Sequence, residues 1–464
     1  PPSSMRSWPS PRLVSLLPSP PIPRHLTPRH LPSPSTLSLR ACSTHAGKHQ
    51  TPIVDALWRR RETSRLSRPS PPPTERQDRR LEPRLPSHSA TSVVYRFSHP
   101  DHAQLKDTYA SPWGHVRPGR LLEDLDALAG TIAFEHCRTE GEPDLLLVTA
   151  VVERLVYRHR PNLQDDVKLA GAVSWVGKSS MEISMSACAT WTDEPFLCAT
   201  FTFVARNPLT NRSAAINPLI LPEGDAAAAQ AFEMGRKRDE ARKAARKRSK
   251  ESALGLSIDA ETTKAAAELV EAAQLLLTMP ALADKRDILL SATRLQNALI
   301  TMPQQRNTAG RVFGGFLMRR AYELAFATAY LFTGRRPVFI ELDEVSFHAP
   351  VSVGDLLRFD SCVLYTSEAM DLEGRATVHV EVLANVTRPE TRSSVTSNKF
   401  NFTFGVAANA DGSGRAMLGK DVELRRVLPA THGEAYRIME RYKADIAQRE
   451  EDQQLHYPKR GDVS

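Results

Sequence analysis

At 464 residues the chain is too long for one compact core, so two domains with appendages are expected. The net charge of +8 is unevenly placed: residues 1–90 hold 15 Lys and Arg against 5 Asp and Glu, and everything after them sums to about −2. That balance excludes a nucleic-acid-binding face for the folded part.

The first 50 residues contain no Asp or Glu, and Arg6, Arg12, Arg24, Arg29 and Arg40 are scattered among Ser, Pro and Leu. Such a stretch cannot bury a core. Arg- and Ser-rich with no acids is the composition of an organelle transit peptide, most simply mitochondrial, which would deliver the mature protein to the matrix. The prolines run against the amphipathic helix that presequences form, and a disordered tail without a targeting role is the plainer alternative. No apolar run approaches the ~18 residues of a membrane span, so no transmembrane segment is expected. The cysteines at 42, 137, 188, 198 and 362 show neither C-x-x-C nor metal-ligand spacing, as fits buried thiols in a reducing compartment.

In chain order, residues 1–90 are expected to form a disordered tail. A first domain over 91–222 has a helix from Gly119, then strand-like runs from Leu146, from Val167 through Met181, and over Phe196 to Ala205. Their partial two-residue alternation predicts antiparallel strands with one wet face. Residues 223–290, with the charged run after Gly235, predict a solvated helical linker, or a basic surface for an acidic partner. A second domain over 291–408 repeats the order, with a helix from Gly315 and four strand runs. A C-terminal extension, 409–464, carries a helix near 434–450.

The two domains read as copies. Phe347, Asp355, Phe359, Val363 and Tyr365 stand 190 positions after Tyr157, Asp165, Leu169, Val173 and Trp175, which points to a duplication. Pro118-Gly-Arg-Leu-Leu-Glu-Asp-Leu-Asp126 and Asn307-Thr-Ala-Gly-Arg-Val-Phe-Gly-Gly315 are each a glycine turn running into an amphipathic helix. They differ in polar residues: an acid follows the first glycine, and an amide precedes the second. Complementary groups on duplicated halves suggest one composite site.

A helix opening on Gly314-Gly315 presents backbone N–H groups with no side chain in the way, suited to an oxyanion or a phosphate. Gly119 would be the equivalent donor in the first domain; close helix–sheet packing is the plainer account of either glycine. Asp126 borders the stripe of Leu121, Leu125 and Leu128, so its carboxylate would be partly desolvated and more basic, unless it is an ordinary solvated helix acid. Glu123 and Asp124 read as early-helix acids complementing the dipole. Asn307 could hold a water or a carbonyl, or merely cap a turn. No G-x-S-x-G, P-loop or H-E-x-x-H sequence is present, and His136 and His348 read as surface or satisfied core histidines.

The segments Asn307–Ala325, Arg117–Gly130 and Val173–Ile183 resemble, in order, motifs of acyl-coenzyme A thioesterases, and are most similar to the mitochondrial thioesterase 9-like branch. The resemblance covers roughly residues 95–440. It implies an α+β fold, a tandem (double) hot-dog in which each antiparallel sheet wraps a central helix. It also implies a hydrolase of fatty-acid metabolism, with Asp126 and Asn307 as the hydrolytic pair. Gly315, with Gly314 and Gly119, would serve the oxyanion and substrate, and Lys178, Ser179 and Ser180 would contact coenzyme A; an exposed hairpin lysine is the simpler account of Lys178. The mirror site would be dead, with Ser111 and Tyr322 at the matching positions and Glu323 as a candidate substitute. No metal or cofactor is implied, since coenzyme A is part of substrate and product; a homo-oligomer is. The alternatives are a hydratase or dehydratase of the same fold, which would need a histidine near the helix, and a non-catalytic acyl-CoA-binding regulatory protein.

Overall fold

The computed structural model describes residues 35–37, 51–67, 71–74, 79–158, 160–252, 260–307, 310–367, 375–406 and 424–456. Most of the segment expected to be a transit peptide lies outside the described residues.

A helix α1 (Pro52–Ser67) precedes the first repeat. That repeat consists of β1 (Thr91–Tyr95), α2 (Pro118–Cys137), β2 (Leu146–Val152), β3 (Leu155–Tyr157), β4 (Val167–Val176), β5 (Ser180–Ala189), β6 (Pro195–Arg206) and α3 (Ala226–Ser252). After α4 (Ala260–Thr278) the second repeat runs through β7 (Leu295–Ile300), α5 (Gly314–Thr333), β8 (Val338–Leu342) and β9 (Val345–Ser346). It continues with β10 (Leu356–Ser367), β11 (Ala376–Arg388), β12 (Ser393–Val406) and α6 (His432–His456).

The strands form one sheet in the order β1-β4-β5-β6-β3-β8-β12-β11-β10-β7, with β2 pairing both β6 and β9, and the short strand Ser35–Leu37, in the segment expected to be disordered, running parallel to β1 at the edge. At the seam Val156 and Leu155 of β3 lie opposite Glu341 and Leu342 of β8, antiparallel. Inside each curved half sits one long helix. Leu121, Leu122, Leu125 and Leu128 of α2 are all fully buried. In the second half Phe400, Phe402 and Phe404 of β12 point to one face, as a two-residue period requires, and pack as a buried row. The architecture is a tandem hot-dog, as the motifs implied.

The duplication is visible bond by bond. In the loop before α2, Ser111 N donates to His115 O at 2.8 Å and Gly114 N to Ser111 O at 3.1 Å. In the loop before α5, Asn307 N donates to Arg311 O at 2.6 Å and Gly310 N to Asn307 O at 3.0 Å. Gly114 and Gly310 both have positive φ, 76° and 79°, which the shared turn demands of them.

Two expectations are overturned. Residues 52–67 are not disordered tail: Ile53, Val54 and Leu57 are 0–3 % exposed against α2, and Thr51 Oγ1 donates to the buried Asp124 at 2.6 Å. The arginines at 59, 60, 61 and 65 hid this narrow apolar row. Nor is α3 a solvated linker. Arg238 and Arg242 reach Glu182, 0 % exposed on β5, at 2.7 and 2.8 Å, and Arg242 also pairs with Glu153. A β-carbon on Gly235 would come within 2.4 Å of Trp175 Cβ, so α3 lies directly on the sheet. α6 does the same to the second half: Arg437 pairs with Glu381, 1 % exposed on β11, and Arg441 with Asp343. Arg238, Arg242 and Glu182 precede Arg437, Arg441 and Glu381 by a constant 199 positions. Helix α3 is therefore the last element of the first repeat, held by charges whose desolvation is offset only while both partners remain.

Candidate active site

Asp126 lies mid-way along α2 and is 3 % exposed. One carboxylate oxygen accepts the backbone N–H of Gly315, at the start of the other repeat's helix, at 2.7 Å. The other accepts the Thr149 hydroxyl of β2 at 2.9 Å. Burial pushes its pKa up to about 6, against the opposing pull of these two hydrogen bonds and of the Arg61 guanidinium. A buried carboxylate that ionises near neutrality is suited to taking a proton.

Arg61 comes from α1 and is 8 % exposed. It donates to Thr131 Oγ1 at 3.1 Å and to the Ala127 carbonyl at 3.3 Å, over Gly130, where a β-carbon would approach it to 2.5 Å. Trp58 of α1 meets the Phe313 ring edge-on at 5.8 Å, just before Gly314. One helix thus touches the elements that supply both Asp126 and Gly315.

Gly314 and Gly315 are both needed for close approach. A β-carbon on Gly314 would sit 3.0 Å from the Asp126 carboxylate and 3.1 Å from Phe347. On Gly315 it would come within 2.8 Å of the Glu123 backbone. Backbone cannot yield cheaply, so Gly315→Ala should destabilise the fold by about 1–3 kcal/mol. Thermal denaturation reads this directly, and an unchanged midpoint would refute the contact. The expectation that the Gly315 N–H holds an oxyanion needs correction, because this N–H is donated to Asp126. Gly314 offers the adjoining N–H of the same helix turn.

Asn307 lies in the loop that leads to this glycine pair, its side-chain oxygen accepting from Arg311 N at 3.1 Å. Gly119 is not at the Asp126 site. It lies at the mirror position, where a β-carbon would meet Tyr322 at 3.1 Å. Glu323, the candidate substitute acid, is held by Arg117, Arg319 and Arg320 at 3.0–3.5 Å. Nor does the structure bring Lys178, Ser179 and Ser180 to Asp126. Their hairpin bonds to Ala205, Ile216 and Gly177, and Lys178 lines a separate cavity of about 500 Å³ with Leu81, Leu219 and Phe232.

Several residues have roles the sequence did not disclose. Thr149 read as an ordinary strand threonine, a common strand residue. Asp124 is not merely an early-helix acid complementing the dipole: it is fully buried, accepts from Thr51, Tyr95 and Tyr109, and is pushed up to about 7 by burial. Glu123 bridges the repeats through Arg319 at 3.1 Å. His136 is a fully buried core histidine whose Nε2 meets the Asn217 carbonyl at 2.9 Å, while its Nδ1 has no partner. The carboxylates of Glu341, Asp343 and Asp445 cluster but are met by Arg154 and Arg441, which accounts for them without a metal.

Two wrapped helices, joined where Gly315 N donates to Asp126, define this chain as a tandem hot-dog protein. It is 42 % identical to the mitochondrial acyl-coenzyme A thioesterase 4 of Humulus lupulus, over 86 % of this chain and 74 % of the relative. It is 41 % identical to the chloroplastic acyl-coenzyme A thioesterase 2 of the same plant, over 86 % and 90 %. With the mitochondrial acyl-coenzyme A thioesterase 9 of Mus musculus it shares 34 % identity, over 72 % of each. No protein-family profile matches the chain. The chain belongs to the acyl-coenzyme A thioesterase family, a family of thioester hydrolases.

Proposed function

We propose that this chain hydrolyses acyl-CoA to a free fatty acid and coenzyme A at the Asp126 site. The observation that carries the reading is the 2.7 Å bond from Gly315 N to the buried Asp126 carboxylate, which ties the acid of one repeat to the helix start of the other. Asp126 takes a proton from water as its oxygen attacks the thioester carbonyl. Asn307 positions the water or the carbonyl, and the Gly314 N–H faces the developing oxyanion. The tetrahedral intermediate then collapses, breaking the C–S bond. Coenzyme A leaves as a thiolate; thiols have a pKa of about 8.5, so no strong general acid is needed. Thiol release from a series of acyl-CoA chain lengths tests the activity, and a protein inert across the series would refute it. A hydratase would need a histidine at this site, and nothing in the described geometry favours one: His136 is bound to Asn217 and pushed down to about 4 by burial.

The protonation of Asp126 fixes the expected pH dependence. Only the ionised carboxylate accepts a proton, so kcat/KM should rise about tenfold per pH unit below about 6 and level off above 7. The Thr149 hydroxyl favours the ionised form. Thr149→Val should therefore move this limb to higher pH, and a limb that stays put would remove Thr149 from the site.

Residence in mitochondria is part of the proposal, supported by the composition of residues 1–50 and by the mitochondrial relatives in hop and mouse. The chloroplastic relative makes the plastid the competing outcome of an import assay with isolated organelles. Self-association is also proposed; sedimentation equilibrium returning only single chains would remove it.

A further inference from the structure

A ledge on the outside of the fold is built twice and covered by a helix once. In each repeat the chain leading into the outer helix runs parallel to the chain leading into the edge strand. Leu219 lies beside Arg84 in the first repeat, and Val427 beside Ile288 in the second. Over the second ledge lies α4, which touches Asp287–Leu289, Arg426–Leu428 and α6, with Leu269 packed on the core. The helix at the matching place in chain order is α1, and α1 packs on α2 instead. Over the first ledge there is a cavity of about 500 Å³.

That cavity is walled by Leu81 and Leu219 of the ledge, Phe232 of α3, and Val176 and Lys178 of the β4–β5 hairpin. Leu81 is 41 % exposed, and Leu219 and Phe232 are only half-buried, so apolar surface stands open to water. Its size narrows the choice of occupant. One turn of a helix with its side chains, about 10 Å across and 5.4 Å long, fills roughly 400 Å³, so a helix like α4 does not fit inside. Sites for small molecules run from about 300 to 1,000 Å³. The lining side chains are aliphatic or aromatic except for Lys178, and no carboxylate among the described residues pairs with its ammonium. Lysine lays its stem along apolar surface and keeps the charge in water, which puts this cation at the mouth. An apolar pocket with one cation at its mouth fits a flexible chain that ends in one anion.

We propose that the cavity binds a free long-chain carboxylate, with its alkyl chain against Leu81, Val176, Leu219 and Phe232 and its carboxylate on the Lys178 ammonium. The duplication thus fills one ledge with a helix of the chain itself and leaves the other for a ligand. The site is separate from Asp126 and stands independently of that acid acting as a base. In a chain that releases fatty acids, it makes the product a ligand at a second place.

Isothermal titration of the full chain at pH 7.5 and low salt, with decanoate, dodecanoate and 1-decanol in turn, tests the proposal. Each buried methylene should tighten binding about fourfold, so dodecanoate should bind tenfold or more tightly than decanoate. Lys178→Gln should weaken decanoate about fivefold and leave 1-decanol unchanged. Ala215→Trp puts an indole into the cavity and should abolish binding of all three. Affinities unchanged in both variants would place the ligand in the Asp126 pocket and overturn the proposal, as would the absence of binding by either carboxylate at millimolar concentration. Thermal midpoints check that each variant folds. A further measurement needs neither variant. A β-carbon on Gly177 would meet the Trp175 ring at 2.7 Å, so this indole adjoins the cavity wall. Dodecanoate brominated at its chain end should quench the tryptophan emission of the parent, and the quench should disappear in Trp175→Phe. A quench that persists in Trp175→Phe would put the ligand elsewhere and overturn the assignment.

Discussion

Asp126→Asn should lower thiol release from acyl-CoA by about 10²–10⁴-fold, the range expected when a positioned general base is lost. The substitution keeps the size of the side chain and an oxygen to accept the Gly315 N–H, so coenzyme A affinity should survive. It also has an opposite consequence for stability. The folded pKa of about 6 lies above the ~3.9 of an unfolded aspartate, so the native state holds its proton more tightly. Ionising Asp126 therefore weakens the fold progressively from about pH 4 to 6, by up to roughly 3 kcal/mol, and the whole deficit is present above 6. The variant should melt higher than the parent at pH 7.5, with the difference vanishing below pH 4. An inactive protein that melts lower at neutral pH would mean the carboxylate is structural, and unchanged turnover would end its assignment as base.

Removing α1 should be nearly as severe, through stability. Ile53, Val54 and Leu57 are each buried to 3 % or less, and burial of such side chains is worth about 1.5–3 kcal/mol apiece as an upper estimate. Deletion also leaves Asp124 without the Thr51 hydroxyl and strips Arg61 from the Thr131 hydroxyl and the Ala127 carbonyl. A domain's net stability is only about 5–15 kcal/mol. Protein lacking residues 1–49 loses, among the described residues, only the three-residue edge strand Ser35–Leu37 beside β1 and should keep the turnover of the full chain. Protein lacking residues 1–68 should be insoluble or melt more than ~10 °C lower, and a shift of only a degree or two would show that α1 is dispensable. A milder change separates its electrical influence from its packing. Arg61 stabilises the ionised form of Asp126, so Arg61→Met should move the acid limb of kcat/KM to higher pH.

The tandem helix-and-sheet plan was legible because each glycine turn, leucine stripe and alternating strand carries a local signal, twice over. Asp126 could be singled out because it borders an apolar row, and Asn307 because it heads the second glycine turn. Thr149 and Arg61 could not, since their relation to Asp126 exists only after a strand and a preceding helix have been folded onto α2. The charged helix α3 was misread for a related reason. Its composition is that of a solvated surface, and only the buried Glu182, which looks like any strand glutamate in the sequence, reveals where Arg238 and Arg242 go. Gly315 was read as an oxyanion donor or a helix–sheet packing glycine, whereas it meets α2 of the other repeat through its N–H and its missing side chain: a contact between repeats leaves no trace in either segment.

The seam where β3 meets β8 has an evolutionary meaning. Two separate identical subunits meeting this way would be bound by symmetry to carry every pocket in duplicate, so any change to one would appear in the other. Joining them in a single polypeptide lifts that obligation. Tyrosine can replace an aspartate on one side without loss on the other, and the molecule becomes a heterodimer encoded by one reading frame.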